Sequence, residues 1–447
     1  MKASKRNAGL AGFVALLALS VVAVLYQITI QVGPVSKVKA YSSTKTVSDF
    51  GAVGNCVADD TAALEAAANA GAVVALEPGA CYKITSTIDI TTSNSGLIGD
   101  GTAKIYMPSA NFNNTDPSTS GRYGSSAVGI HVRGGLSSPF TPISNVVLAN
   151  LRIEYQQNAT GKRVLNAIVL SNVVNPVVEG NEIYHFPNAR AVVARSVKGG
   201  SISSNYIHDF RDESTGYSGT FPQITAIEID NDPINSIPTE RLKIRGNTIS
   251  NLTFGSATLA AYGYQTDGIN IARSTARHLN ISNNIIDNVG EGIDMFGTDS
   301  VIAGNVVTKA YNFNIKLIHG ASRNTVTGNA LTDCGMACIV LGGQGSTGHV
   351  ANNVISDNVM SNVDYLNAWG PSPGSPDTAC IATFPDAPNY KAYNNTFQGN
   401  TCVPGTYGKY SLVRKASGPN HYIYNLLPAG TAGDILSTGE TGTLLGI

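Results

Sequence analysis

Three short segments of the 447-residue chain place acidic and basic side chains next to alternating apolar runs. They are TDGINIAR at 266–273, EGIDMFG at 291–297 and FNIKLIHG at 313–320. Carboxylates in such positions can act as a general acid and base, or can hold a hard cation such as Ca²⁺ through their oxygens. Either chemistry requires a scaffold that brings these separate segments onto one surface.

The apolar runs form an internal repeat with one register residue in each run. The shortest steps between register residues are 22 to 24 positions, as between Ile269, Ile293 and Ile315. Alternating β-branched residues predict strands, and the repeat is too short for strand-helix-strand units with long loops. We therefore predict a solenoid whose turns pair in parallel around an apolar core. The register residues are Ile130, Ile168, Val192, Ile227, Ile269, Ile293, Ile315 and Ile339.

A second set of runs lies between these, and each carries an Asn. We predict a structural role, because an amide at a repeated bend can hydrogen-bond the amides above and below it. The expected column is Asn150, Asn181, Asn205, Asn247, Asn284, Asn305, Asn329 and Asn358.

The beginning of the predicted coil carries one helix-forming segment. Asp59 and Asp60 are placed to begin this helix, Gly71 marks its end, and VVALEPG then starts a strand. Such a helix would cover the open end of the coil.

The motifs VSDFGAVGNCVADDTAALEAA, VVALEPGACYKI and SGLIGDG, within residues 47–101, resemble the cap and first coil of the pectate-lyase-like superfamily. The resemblance implies an all-β, single-stranded right-handed parallel β-helix with an N-terminal capping helix. That superfamily contains polysaccharide lyases, polygalacturonase-type hydrolases, alginate epimerases, and phage or surface proteins. It therefore implies an acidic or complex glycan as partner.

The N-terminus is typical of an exported protein. Basic residues at Lys2, Lys5 and Arg6 precede an uncharged stretch, so we expect 1–40 to be a signal peptide or a membrane anchor. We assign 41–425 to the β-helix and 426–447 to a C-terminal tail. The expected protein is a monomer that is secreted, periplasmic or on the cell surface, with membrane contact only through an anchor.

The six cysteines are typical of an oxidising compartment. We expect sequence neighbours to pair, with Cys334 and Cys338 bridging a turn and the others joining the start and end of the fold, namely Cys56 with Cys81 and Cys380 with Cys402. A metal site at Cys334 and Cys338 would need further ligands nearby. The low charged fraction, 13%, and the formal net charge of -1 argue against a nucleic-acid partner.

The register places several charged residues on one face of the solenoid. Because paired strands lie about 4.8 Å apart, acids from successive turns should form one patch. The expected catalytic residues are Asp267, Glu291, Asp294, Lys316 and His319. The expected substrate-binding residues are Arg190, Arg195, Glu228, Asp230, Asn270 and Arg273, with Tyr262, Tyr264 and Trp369 from long insertions.

Two reactions fit this patch. Hydrolysis with inversion needs two carboxyl groups about 6.5–9.5 Å apart, which Asp267 with Glu291 or Asp294 could provide. The TDGI segment resembles the polygalacturonase pattern, although Gly290 and Phe313 depart from it. β-Elimination instead needs the uronate carboxylate neutralised, by Ca²⁺ on Glu228, Asp230 and Asp267 or by a cation, and it needs a base. Lys316, Arg195 or Arg273 could be the base or the neutralising cation.

These observations predict an exported lyase or glycoside hydrolase acting on a uronate-rich polysaccharide. Two alternatives stay open. One is a non-catalytic, adhesin-like β-helix that binds glycan. The other is an alginate-type C5-epimerase, to whose active-site loop YGYQTD at 262–267 bears a loose resemblance.

Overall fold

The computed structural model describes most of the chain from residue 43 onward. The described ranges are 43–108, 127–135, 137–155, 164–186, 190–211, 224–230, 237–253, 266–343, 345–368, 377–384, 389–416, 418–438 and 440–446. The predicted signal or anchor, most of the long insertions, and Tyr262, Tyr264 and Trp369 lie outside these ranges.

The fold is a parallel β-helix built from three stacks of short strands. We call the thirteen-stranded sheet the rear stack, and all its pairings are parallel. Its strands are Val73–Ala75, Gly96–Ile98, Val147–Ala149, Val177–Glu179, Ser201–Ser203, Lys243–Arg245, Asn280–Ser282, Val301–Ala303, Thr325–Thr327, Val354–Ser356, Thr396–Gln398, His421–Ile423 and Leu444–Leu445.

The twenty-two-stranded sheet contains the other two stacks. The side stack comprises Asn55–Asp59, Cys81–Lys83, Lys104–Met107, Arg152–Tyr155, Glu182–Tyr184, Tyr206–Arg211, Thr248–Thr253, Ala330–Cys334, Val359–Val363 and Thr401–Val403. The front stack comprises Ile88–Ile90, Ala127–Arg133, Val164–Ser171, Arg190–Arg195, Ile224–Asp230, Thr266–Ile271, Ala337–Leu341, Ala379–Thr383, Tyr410–Arg414 and Ile435–Ser437. Ile285–Met295 and Val306–Leu317 run continuously from the side stack into the front stack.

Four two-residue strands complete the inventory. They form two separate pairs, Ile143–Ser144 with Val173–Val174 and Val350–Ala351 with Ala392–Tyr393.

The predicted register of the front stack is confirmed. Ile130 pairs with Ile168, and the same alignment continues strand by strand to Ile339. All eight register residues are completely buried in one continuous apolar core. The alternation of β-branched residues therefore fixed which side of each strand faces inward.

The Asn column is confirmed from Asn181 onward. The side-chain amide of Asn181 donates to Oδ1 of Asn205 over 2.9 Å, and equivalent bonds continue through Asn358 to Asn400 and Asn425. The placement of Asn150 in this column was wrong. The Oδ1 atom of Asn181 accepts a hydrogen bond from the backbone amide of Leu151, so Leu151 occupies the column position in that turn. Asn150 lies one residue earlier, at a left-handed turn with φ 54°.

The N-terminal end carries the expected capping helix. The α-helix Thr61–Ala68 follows a short 3₁₀ helix at Val47–Phe50, and its Leu64 and Ala67 are buried in the core. Asp60 lies at the helix N-cap and accepts hydrogen bonds from the backbone of Val53 and Gly54 rather than from the helix. Among the described residues, no helix has the length and apolar character needed to cross a membrane.

All three predicted disulfides are present, namely Cys56–Cys81, Cys334–Cys338 and Cys380–Cys402. The boundary predicted at residue 425 needs correction, because the strands Ile435–Ser437 and Leu444–Leu445 pair with the preceding turn. Between them, Glu440 is buried and accepts hydrogen bonds from Tyr422 and Thr383. The described part of 426–447 thus contributes to the β-helix.

Candidate active site

The front stack has a small inward-facing residue just before the register residue. A Cβ atom on Gly268 would lie 2.6 Å from the carbonyl oxygen of Gly292 and 2.7 Å from Ile286, so this position faces the core. Gly268 and Ile269 are thus consecutive inward positions, and the usual alternation of sides is broken there. As a result, Asp267 and Asn270 project on the same side of the strand, and Asn270 donates a hydrogen bond to Asp267 over 2.5 Å.

The same local structure in the next turn brings three carboxylates together. Asp267 pairs in register with Glu291, and Asn270 pairs with Asp294. Carboxylate oxygens of Asp267, Glu291 and Asp294 all lie within 4.8 Å of one another. Exposed fractions of 0%, 2% and 4% show that this carboxylate cluster is almost completely buried.

Lys316 supplies the positive charge at the cluster. Its Nζ lies 3.0 Å from Glu291 Oε2 and 3.3 Å from Asp294 Oδ2, and its side chain is 14% exposed. Lys316 belongs to the next turn and pairs in register with Asp294. Four residues from three successive turns therefore form one buried group with one cation and three acids.

The charges of this group shift its pKa values strongly. Burial raises the pKa of Asp267 well above its ordinary value, and the nearby charges of Glu291 and Asp294 raise it further. Burial also raises the pKa of Asp294 to about 7, although Lys316 acts in the opposite direction. Asp267 therefore keeps its proton to higher pH than an ordinary aspartate does.

The geometry and charge of this cluster disfavour two sequence-based expectations. One oxygen from each acid lies within 4.8 Å of the others, closer than the carboxyl spacing of about 6.5–9.5 Å needed by inverting hydrolysis, because the acids are on directly paired strands. The positive charge of Lys316 also disfavours it as a base. Burial lowers its pKa, but the attraction of Asp294 and Glu291 outweighs burial and raises that pKa above its ordinary range.

The residues predicted to hold Ca²⁺ do not form one ligand group. Glu228 is ion-paired with buried Arg190, and Asp230 is ion-paired with Arg273. Within the described residues, the three-acid group that could hold a cation is instead Asp267, Glu291 and Asp294. A metal there would have to compete with the Lys316 ammonium, so the cluster fits Ca²⁺ poorly.

His319 lies outside the carboxylate cluster. Its strand ends at Leu317, and the backbone of His319 turns with φ 57°. The imidazole packs edge-on against Phe296, and its Nδ1 accepts a hydrogen bond from the backbone of Thr347. The predicted catalytic role of His319 is therefore not supported by its position.

The two arginines that precede the cluster lie on the same face, as predicted. Arg190 pairs in register with Thr225, and Arg195 pairs with Asp230. Both arginines are buried, and Arg190 makes its ion pair with Glu228 of the next strand. They lie two strands before the Asp267 strand.

Comparison with known proteins identifies the fold. A family described as "Right handed beta helix region" matches residues 234–416. A search of curated proteins found no significant sequence match.

Similar solved structures include the mannuronan C-5 epimerase AlgE4 A-module of Azotobacter vinelandii, with 15% identity, a TM-score of 0.59 and coverage of 90% of this chain and 99% of that one. A PL6 alginate lyase solved with a trisaccharide has 14% identity, a TM-score of 0.60 and coverage of 92% and 88%. PfbA, a surface adhesin of Streptococcus pneumoniae, has 13% identity, a TM-score of 0.57 and coverage of 90% and 93%. At these identities the likeness concerns the fold alone. With its three parallel stacks and its capping helix, this chain is a right-handed parallel β-helix protein.

Proposed function

We propose that the protein is a glycoside hydrolase that cleaves an acidic polysaccharide at the carboxylate cluster. One observation carries the proposal. Asp267 is completely buried among other acids, which raises its pKa well above the ordinary value and favours its protonated form, while the carboxylate of Glu291 is ion-paired with Lys316. A protonated acid beside a charged carboxylate is the pair of groups that glycosidic bond hydrolysis requires.

Each residue of the cluster has a distinct role in this reaction. Asp267 donates its proton to the glycosidic oxygen as the bond breaks, and Asn270 orients its carboxyl group. Glu291 attacks the sugar carbon directly and forms a covalent glycosyl intermediate, and Asp267 then takes a proton from the water that hydrolyses this intermediate. Lys316 stays charged and neutralises Glu291 and Asp294 rather than acting as a base, so β-elimination at this cluster would need a different base.

An acidic substrate and an external location are supported by independent features. The similar folds include a mannuronan epimerase and an alginate lyase, and both polymers carry uronate groups. Three disulfides favour an oxidising compartment, as expected for a secreted, periplasmic or surface protein.

The test is product analysis with polygalacturonate, alginate and a neutral glycan. We expect new reducing ends without the ultraviolet absorbance of unsaturated uronates, which a lyase would release. Asp267→Asn should lower the rate at least about a hundredfold, the usual contribution of a general acid. The matched control is Asp299→Asn, which should leave the rate unchanged because Asp299 lies in a partly exposed turn outside the cluster, ion-paired with Arg323. Unsaturated products from the wild type, or full activity of Asp267→Asn, would refute the mechanism.

A second candidate is a β-helix that binds glycan without cleaving it. The near-complete burial of the three acids favours this alternative, because such a cluster can also be a structural ion group. The surface adhesin among the similar folds agrees with it. Retained binding with no product from any of the three glycans would establish this alternative instead.

A further inference from the structure

A cavity of about 240 Å³ lies where the side stack passes into the front stack. Thr266 and Gly290 form part of its wall, and they directly precede Asp267 and Glu291 in the chain. The backbone amide of Gly290 donates a hydrogen bond to the Thr266 hydroxyl over 2.6 Å, which fixes this wall. The cavity therefore lies beside the strands that carry Asp267 and Glu291.

Other residues of the cavity wall provide apolar and cationic surface. Tyr311, Tyr365 and Leu366 line it, and Leu366 is 56% exposed. Lys309 also lines it, with a side chain that is 51% exposed and an Nζ atom 3.3 Å from Asp287. Aromatic rings can stack on sugar rings, and an accessible ammonium can pair with a carboxylate.

Lys309 is also an exception in its own column. The described residues in register with it also have left-handed backbone conformations and are His185, Asp209, Asn251, Asn288, Asp333 and Asn362. Asp, Asn and His tolerate this conformation, whereas a long aliphatic side chain there carries a strain of about 1 kcal/mol or more.

Lys309 also interrupts a ladder of side-chain hydrogen bonds. Asn288 donates to Asn251 over 2.9 Å and Asn251 donates to Asp209 over 3.1 Å on one side, while Asn362 donates to Asp333 over 2.6 Å on the other. An Asn at position 309 would suit the fold better than the Lys that is present. The chain thus carries a strained, solvent-accessible cation at the cavity beside the carboxylate cluster.

We infer that this cavity is a subsite for one carboxylated sugar ring, with Lys309 binding the carboxylate and Tyr311 and Tyr365 contacting the ring. The inference rests on the proposed function, because it places a neighbouring unit of the same acidic substrate. The volume agrees with a single ring, since it is below the roughly 300–1,000 Å³ of sites for drug-sized ligands. Lys309 would then select acidic over neutral chains.

The experiment measures binding without cleavage, in the Asp267→Asn background. The probes are hexamers of galacturonate and of mannuronate, each compared by calorimetry with its carboxyl-reduced, neutral counterpart. Lys309→Met should weaken binding of an acidic hexamer about tenfold, or about 1.4 kcal/mol, and leave the neutral hexamer unaffected. Tyr365→Ala should weaken both. The matched control is Lys243→Met, because Lys243 is exposed on the rear stack.

A second variant separates binding from folding. Lys309→Asn should raise the unfolding midpoint, since it restores the amide ladder, and still weaken binding of the acidic hexamer. The subsite would be overturned if the protein with Lys309 intact and its Lys309 variants all bound the acidic and neutral hexamers with equal affinity, as in a protein that does not discriminate. It would also be overturned if the protein with Lys309 intact bound no hexamer. If the wild type cleaves no glycan but Lys309 still discriminates, the proposed function fails while the subsite stands.

Discussion

Replacing Asp294 by Asn should stabilise the folded protein at alkaline pH. In the folded state, burial raises the pKa of Asp294 to about 7, from an ordinary value of 3.8. A carboxyl group whose pKa is raised by folding favours the fold fully only below its unfolded pKa. That contribution is lost as the pH rises from the unfolded pKa to the folded pKa, here from about 4 to about 7. Asn resembles the protonated acid and has no such loss.

The size of the effect follows from the pKa difference. About three pKa units at 1.36 kcal/mol each give about 4 kcal/mol. This figure already includes the attraction of Lys316, which lowers the pKa of Asp294 and so opposes the effect of burial. The free energy of unfolding of Asp294→Asn, relative to wild type, should therefore improve by about 4 kcal/mol between pH 4 and pH 8.5. Titrating groups outside the carboxylate cluster are common to both proteins and cancel in the difference, whereas Asp267 no longer has the charge of Asp294 to raise its pKa.

Urea unfolding at the two pH values measures this quantity. The matched control is Asp299→Asn, whose stability relative to wild type should hardly change between these two pH values. The partly exposed carboxylate of Asp299 has a pKa lowered to about 2, chiefly by the hydrogen bond from Arg323, so its contribution to stability is lost only as the pH falls from about 4 through about 2. A relative stability of Asp294→Asn that does not change with pH would refute the assigned electrostatics of the carboxylate cluster.

Three further predictions concern other parts of the same account. Lys316→Met should destabilise the protein by about 3–5 kcal/mol at pH 8.5 and by clearly less at pH 5, where protons can replace the lost cation; equal losses by urea unfolding would contradict this. Asn284→Ala should lower the free energy of unfolding by about 2–4 kcal/mol, because it leaves buried hydrogen-bond partners in the Asn column unsatisfied. The control Asn251→Ala, in the exposed ladder, should lower it by less than about 1 kcal/mol. Activity should survive treatment with EDTA, since the Lys316 ammonium already supplies the positive charge at Glu291 and Asp294. Reversible loss of activity on chelation would instead indicate that the acids bind Ca²⁺.

The repeat made most of the fold predictable from the sequence. Inward residues such as Ile269 and Ile293 recur at nearly constant spacing, and parallel pairing then aligns their neighbours without further information. The same logic brought Asp267, Glu291, Asp294 and Lys316 onto one face. A second Asn ladder, from Asn324 through Asn353 and Asn395 to Asn420, carries the same signal and was missed because it begins only in the later turns.

The repeat did not predict the positions at which inward-facing and outward-facing residues stop alternating. The inward position of Gly268 depends on contacts with Gly292 and Ile286 of other strands, and it sets the short distance between the acids. The turn at His319 likewise depends on where its strand stops pairing. The sequence also did not show which arginines form ion pairs with Glu228 and Asp230, because the acids and arginines of this face can pair in several ways.

The central claim is that Asp267 carries a proton at neutral pH, and infrared spectroscopy tests it directly. The difference spectrum between the wild type and Asp267→Asn isolates the stretching band of this one carboxyl group. We predict the band of a protonated acid at pH 7, converting to the carboxylate band only at higher pH. A carboxylate band for Asp267 already present at pH 5 would contradict the account.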